Sequence, residues 1–224
     1  MIPAAGVGRR MGNKQPKQYL QLKGRSILEH SLEKLFTSEA VAGVAVGIAA
    51  GDEYWEKLDI RNKKLLGAYV GGAERINTVL NGLDFLSKWA AADDWVMVHD
   101  AVRPCVSPGD INLLIEKALQ SNRSAILASP VTDTVKRVNA DSTIEDTVNR
   151  AELMVAMTPQ LFPIKLLRKA LCNALDQNIL STDESSAVEM LGEKPLAITG
   201  RRSNIKITTV EDLQMANVFI DNQH

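Results

Sequence analysis

The sequence is poor in the residues that build covalent or metal frameworks. Its 224 residues include two cysteines, Cys105 and Cys172, and three histidines. None of them stands at zinc-ligand spacing, so a disulfide scaffold and a zinc site are both excluded. Both cysteines lie in apolar stretches, and a reducing cytoplasm is the expected setting. There is no Ser/His/Asp or Cys/His arrangement of the kind that supports nucleophilic catalysis. No apolar run approaches the ~20 residues that cross a bilayer, and Met1 leads straight into Ile2-Pro3-Ala4-Ala5-Gly6 without a basic leader, so neither a membrane span nor secretion is expected. Basic excess is also missing: 26 Lys plus Arg face 27 Asp plus Glu, for a formal net charge of −1. That argues against nucleic acid as a partner and requires any phosphate-binding charge to be local.

What remains is the composition of one globular domain, 45% hydrophobic and 24% charged. Short apolar runs alternate with amphipathic stretches of helix length, the pattern of an α/β sheet with helical crossovers. Strands are predicted at 41–49, 65–70, 95–99 and 125–129, each short and apolar as strands covered on both faces should be. Ser26-Ile27-Leu28-Glu29 reads as a capping box that opens a helix with Leu28, Leu32 and Leu35 on its buried stripe. Further helices are predicted at 75–89, 108–119, 163–175, 182–191 and 210–220, the second capped by Ser107 and begun by Pro108. Residues 131–150 depart from this pattern. Two polar strands flank the turn formers Asn139-Ala140-Asp141-Ser142, which predicts a hairpin arm standing off a single domain. A lone hairpin is marginally stable, so a partner subunit is a candidate to cover it. The first strand, Met1-Ile2 before Pro3, reads as a clipped one.

Several segments carry chemistry. Ala4-Ala5-Gly6-Val7-Gly8-Arg9-Arg10-Met11, with Lys14 and Lys17 beyond, offers small residues for close backbone approach, a nest of N–H groups and cations for phosphate. It lacks the Gly-Lys-Ser/Thr of a P-loop, and Met11 stands where a dinucleotide fingerprint has its third glycine. Taken alone, it is equally a tight turn with solvated cations. Gly71-Gly72-Ala73-Glu74-Arg75, with Thr78 one turn on, leaves room for a flat base at a strand's carboxyl end; alone it is as readily an ordinary turn with Arg75 in solvent. Strand 95–99 delivers Asp100 to the edge where open α/β sheets bind ligands, and a single carboxylate there suits Mg²⁺ completed by phosphate oxygens and water. The competing role for Asp100 is to cap the next turn and pair with Arg103, while His99 reads as a packed strand-end residue. In the second half, Thr134, Arg150, Thr158, Thr182-Asp183-Glu184 and Lys206 are polar candidates. Asp183 and Glu184 also suit a helix's positive end, and Lys206 lies in a strand-like alternation.

In this order, Pro3–Met11, Pro16-Lys17-Gln18-Tyr19, Gly71-Gly72 with Arg75, His99–Pro104, Pro130–Lys136, Thr147 with Arg150, Thr158-Pro159-Gln160, Thr182-Asp183-Glu184 and Asn204-Ile205-Lys206 resemble the 2-C-methyl-D-erythritol 4-phosphate cytidylyltransferases over nearly the whole chain. The resemblance implies a Rossmann-like nucleotidyltransferase fold, with a mixed, mostly parallel sheet flanked by helices. It further implies a homodimer joined through the 131–150 arm, CTP and methylerythritol phosphate as substrates, and Mg²⁺ as cofactor. By that resemblance Arg10, Lys17 and Lys206 are the catalytic cations. Ala4, Ala5, Gly6, Gly8, Gly72, Ala73, Arg75, Thr78, Asp100 and Ala101 bind the nucleotide, with Asp100 holding the metal. Arg103, Thr134, Arg150, Thr158 and Thr182 grip the acceptor, Thr134 and Arg150 being donated by the other subunit. The first strand is shorter than the family shows, Thr78 stands where serine is frequent, and Ala73 stands where some members carry aspartate. Two alternatives stay open: a ribitol 5-phosphate cytidylyltransferase with the same CTP machinery, and a catalytically silent nucleotide-binding protein on the same fold.

Overall fold

The computed structural model describes residues 1–6, 15–179 and 181–221. In chain order the elements are β1 (Ile2–Pro3), β2 (Gln21–Leu22), β3 (Arg25–Ser26), α1 (Ile27–Phe36), β4 (Val44–Ile48), β5 (Leu65–Val70), α2 (Arg75–Leu86), β6 (Trp95–Val98), α3 (Pro108–Ser121) and β7 (Ala125–Pro130). They continue as β8 (Val135–Val138), β9 (Ile144–Val148), β10 (Met154–Pro163), α4 (Ile164–Asp176), α5 (Glu184–Glu189), β11 (Leu196–Thr199) and α6 (Val210–Asp221). The capping box at Ser26 is formed: its hydroxyl accepts from the Glu29 N–H at 3.2 Å, and the Glu29 carboxylate accepts from the Ser26 N–H at 2.7 Å. Such a cap contributes about 1 kcal/mol to helix stability.

Strands β1, β4 and β5 form one half-sheet, and β11, β7, β10 and β6 the other. The Met1 carbonyl accepts from the His99 N–H at 3.0 Å and joins them. Pairing is parallel for β1–β4, β4–β5 and β7–β11, and antiparallel where β10 lies between β6 and β7. The sheet is thus mixed and mostly parallel, as expected. Alternation along each strand sends neighbouring residues to opposite faces. Val44 and Val46 meet Leu28, Leu32 and Leu35 of α1 and Ile111 and Leu114 of α3, whereas Ala45 joins Val79 and Leu83 of α2 and Leu167 and Leu171 of α4. Both faces are therefore covered, which is why the strands read as continuous apolar runs.

Several boundaries differ from expectation. The first long strand is Val44–Ile48 rather than 41–49; α2 ends at Leu86 rather than at 89; α5 is Glu184–Glu189 rather than 182–191, because Asp183 is its cap. Four strands escaped prediction, the short pair β2 and β3 and the sheet strands β10 and β11. Lys206 lies outside any strand: in the 204–208 segment the buried residues are Asn204 and Ile207, three apart, and there is no ladder. Cys105 is buried but Cys172 is exposed on α4, which corrects its apolar placement. The hairpin is present as β8–β9, closed by the Ser142 turn, with Val138 and Ile144 exposed. No helix among the described residues is long and apolar enough to cross a membrane.

Candidate active site

The segments following β1, β5 and β6 carry the first half of the site. Two of them touch directly at Gly71. A Cβ added there would lie 2.5 Å from the Ala5 Cβ and 2.9 Å from the Thr78 hydroxyl. Neither neighbour is the far end of a flexible chain, so the close approach requires glycine. Thr78 is buried and pins this turn, accepting from the Gly72 N–H at 3.0 Å and donating to the Glu74 carbonyl at 3.1 Å. Its hydroxyl thus shapes the turn. Ala73 and Gly6 lie exposed beside it, while Ala4 is buried and donates its N–H to Gly47 at 2.7 Å. We expect Gly71→Ala to destabilise the protein by about 1–3 kcal/mol, the usual cost of forcing extra volume into a packed contact. Denaturant unfolding at constant slope would measure it, and an unchanged midpoint would contradict the close contact.

Asp100 is the centre of charge. Its Oδ1 accepts from Arg75 at 2.7 Å, and its Oδ2 faces Lys206 at 3.0 Å and Arg103 at 3.4 Å. Burial alone would raise the Asp100 pKa, but Arg75, Lys206 and Arg103 together outweigh it and hold the carboxyl well below its usual range. The competing role considered for Asp100 is thus present: it pairs with Arg103, and its carbonyl accepts from the Arg103 N–H at 3.2 Å. Arg75 is not a solvated turn residue. Its Nε and second terminal nitrogen grip Glu184 at 2.9 and 2.9 Å. Arg103 donates to the Asn204 carbonyl at 2.7 Å, which brings the 204–207 segment beneath the cluster.

Below this lies a buried network that orients Asp100. The Asp100 N–H donates to the Thr158 hydroxyl at 2.9 Å, the hydroxyl meets His99 Nδ1 at 3.1 Å, and His99 Nε2 meets the Arg103 carbonyl at 3.1 Å. Burial pushes the His99 pKa down to about 4, so the ring is neutral near pH 7. With Nε2 assigned the proton, every donor in the chain has an acceptor. Thr158 therefore serves Asp100 from within the protein, and His99 is a packed strand-end residue as its sequence position suggested.

Lys17 sits in a single 3₁₀ turn and donates to the Ile207 carbonyl at 3.5 Å, next to Lys206. Four of the expected residues, Arg75, Asp100, Arg103 and Lys206, thus share one cluster, and Lys17 reaches Ile207 beside Lys206. Ala101 is buried, with its carbonyl accepting from Ser31 at 2.9 Å. Thr182 is exposed just before α5. Thr134 and Arg150 belong to the exposed hairpin region, where Arg150 donates to the Thr132 carbonyl. Gly8 and Arg10 lie outside the described residues.

Two hollows, of about 550 and 410 Å³, lie away from Asp100. The first is apolar and lined by residues such as Val44, Trp89 and Trp95; the second lies beside Arg25 and Glu33. The donor set also tests the expected divalent cation. Among the described residues there is no group of three or more His, Cys, Asp or Glu able to hold a metal. Asp100 is a single carboxylate whose Oδ2 is engaged by the half-exposed Lys206. This fits a cation that arrives with phosphate oxygens and takes one protein carboxylate, and does not fit an ion caged by protein alone.

Sequence reasoning missed four contributors. Glu184 grips Arg75, and Asn204 Nδ2 donates to the Thr158 carbonyl at 2.8 Å. Gln18 donates to the Ala4 carbonyl at 2.6 Å and to that of Gly6 at 3.2 Å, and Gln160 ties β10 to Asp183 at 2.6 Å. The clue available for all four was membership in the quoted motifs.

Residues 1–222 match the profile of the 2-C-methyl-D-erythritol 4-phosphate cytidylyltransferase family, IspD. A Vibrio vulnificus (strain CMCP6) protein of that name is 45% identical over 223 residues, covering 100% of this chain and 94% of the relative. The crystal structure of a 4-diphosphocytidyl-2C-methyl-D-erythritol synthase superposes with a TM-score of 0.85 at 36% identity, covering 98% of this chain and 96% of that one. The Francisella tularensis 2-C-methyl-D-erythritol 4-phosphate cytidylyltransferase gives a TM-score of 0.83 at 37% identity, with 97% of each chain covered.

Proposed function

Because the chain belongs to the 2-C-methyl-D-erythritol 4-phosphate cytidylyltransferase family, we propose that the cluster around Asp100 is where it carries out its reaction. The protein is a nucleotidyltransferase. It transfers CMP from CTP to 2-C-methyl-D-erythritol 4-phosphate, giving 4-diphosphocytidyl-2-C-methyl-D-erythritol and pyrophosphate in isoprenoid biosynthesis. The relatives reported above are named for methylerythritol, not ribitol, and for a transferase or synthase, which argues against both alternatives. The observation that carries the placement is the meeting of Asp100 with Arg75, Arg103 and Lys206, with Lys17 against Ile207.

An acceptor phosphate oxygen forms a bond to the α-phosphorus of CTP as the bond to the β-phosphate oxygen breaks. The attacking phosphomonoester is already ionised near neutral pH, so no general base is required. Repulsion between two polyanions is the obstacle, and positioning with electrostatic stabilisation supplies the rate. In this reading Lys17 and Arg10 hold charge building on the leaving pyrophosphate, and Lys206 turns from Asp100 to the α-phosphate. The cytosine ring rests by the Ala4–Gly6 and Gly71–Ala73 segments. When bound, Mg²⁺ on Asp100 supplies further neutralisation of the triphosphate. The setting is cytoplasmic.

The exposed Val138 and Ile144 on β8–β9 support a homodimer in which the hairpin brings Thr134 and Arg150 to the partner's acceptor. Arg103 and Thr182 complete the acceptor side, while the buried Thr158 supports Asp100 instead of touching the acceptor. A planar guanidinium can hold two phosphate oxygens, so Arg150→Ala should raise KM for the acceptor by about 10-fold or more with little change for CTP. A selective loss of CTP affinity would contradict this. The reaction itself is tested by pyrophosphate release from CTP with methylerythritol phosphate and ribitol 5-phosphate side by side, with and without Mg²⁺. Release that needs methylerythritol phosphate and Mg²⁺ supports the reading, and preference for ribitol phosphate overturns it.

A further inference from the structure

Glu184 is a second carboxylate beside Asp100, and the chemistry above gives it no part. It is 2% exposed, and both its oxygens are taken by one guanidinium: Arg75 Nε at 2.9 Å and a terminal nitrogen at 2.9 Å. The remaining terminal nitrogen of Arg75 reaches Asp100 Oδ1 at 2.7 Å. A bidentate grip fixes the plane of a guanidinium as well as its position. Glu184 therefore decides where the third donor points. It is itself held firmly, because Gln160 on β10 donates to Asp183 at 2.6 Å and accepts from the Ser185 N–H at 2.9 Å. Residues from three separate elements thus form a relay, from α5 through the first turn of α2 to the end of β6.

Charge points the same way. Asp100 faces three cations, Arg75, Lys206 and Arg103, and Glu184 is the only carboxylate paired with Arg75 besides Asp100 among the described residues. With Glu184 in place, the positive charge of Arg75 is largely offset, so Asp100 keeps negative charge for an incoming cation. Without it, Asp100 would stand against a full guanidinium and two further cations. Its Oδ1 would still be covered, and its Oδ2 would release Lys206 into a field less favourable to a divalent ion.

We propose that Glu184 is a positioning residue: acting through Arg75, it orients Asp100 and preserves its charge for the nucleotide and its accompanying cation. This rests on the cytidylyl-transfer reading of the cluster. The competing role is purely architectural, the joining of α2 to α5. The two separate in Glu184→Gln, which keeps the size and removes the charge. Calorimetric titration of the folded full-length variant with CTP plus Mg²⁺ should show affinity about 10-fold or more below wild type, in the range for loss of a residue that orients a metal ligand. KM for CTP should rise in parallel, while KM for methylerythritol phosphate stays within about twofold. In an Arg75→Gln background the same change should cost less than about twofold, since no guanidinium remains to be misplaced. CTP affinity within twofold of wild type, or equal rises in both KM values, overturns the proposal. Should Glu184→Gln fail to fold, the Arg75→Gln/Glu184→Gln double variant decides, because it leaves neither of these two charges unpaired. Its binding CTP with Mg²⁺ more than about twofold weaker than Arg75→Gln alone would overturn the proposal, and affinity within about twofold of that single variant would support it. Wild-type protein that binds no CTP with Mg²⁺ would instead refute the underlying reading of the cluster.

Discussion

Replacing Lys17 with alanine should lower turnover by about 10²–10³-fold, the effect of deleting a preorganised charge-stabilising donor at a reacting centre. The fold should survive, because the turn that carries Lys17 is fixed by its neighbours. Tyr19 is 1% exposed, donates to Asp52 at 2.9 Å and stacks on Tyr54 with ring centroids 5.2 Å apart. Gln18 holds the Ala4 and Gly6 carbonyls. Lys17 is only partly buried, and its hydrogen bond to Ile207 is long at 3.5 Å, so its ammonium is set beside Lys206 without carrying the packing. Initial rates at saturating CTP and acceptor, with circular dichroism as a control, measure the effect. A folded variant retaining over half the wild-type rate would remove Lys17 from the chemistry.

Asp100→Asn should fail in two ways at once. It removes the carboxylate around which the cations gather, so turnover should fall by at least about 10²-fold by the same electrostatic argument. It also strands Arg103, whose side chain is 11% exposed, and the loss of a buried partner costs about 3 kcal/mol. Lys206 is 46% exposed and screened by water, and Arg75 keeps Glu184, so neither adds much. The pH dependence follows from the sign of the Asp100 shift. Its folded pKa lies below the unfolded value, so its stabilisation is fully present above about pH 4 and is lost as pH falls further. Chemical denaturation should therefore show a constant gap between wild type and variant from pH 7 to 5, closing below pH 4. A gap that closes between pH 7 and 5 would assign the stabilisation to another group.

Asp100 was legible because a short apolar strand ending in a carboxylate is a local pattern, and the sheet topology makes that end a ligand edge. Gly71 and Gly72 were legible for the same reason. Glu184 was not: its partner lies 109 residues away, and a carboxylate in a first helical turn already has an adequate local explanation. The strand Met154–Pro163 was hidden by Pro159 and Pro163, since proline argues against a central strand. It is central nonetheless, because its register with β7 shifts between Ala156 and Gln160, around the Thr158-Pro159 step. The polar-apolar alternation read at 204–208 did not become a strand: Asn204 and Ile207 are the buried residues, and the segment is held by separate bonds, among them Ile207 N–H to the Val102 carbonyl and Asn204 Nδ2 to the Thr158 carbonyl, instead of a ladder.

The junction between the half-sheets gives the Arg75–Asp100 pair a wider meaning. Gly71, Gly72 and Thr78 follow strands of the three-stranded half, whereas Asp100 and Thr158 belong to the four-stranded half, and Arg75 reaches from one to the other at 2.7 Å. A nucleotide with its base on the first half and its phosphates on the second would act as a strut across that seam. Any rocking of the halves would change the distance between ring and phosphorus, so the stitch at Arg75 also sets the span into which the ligand must fit.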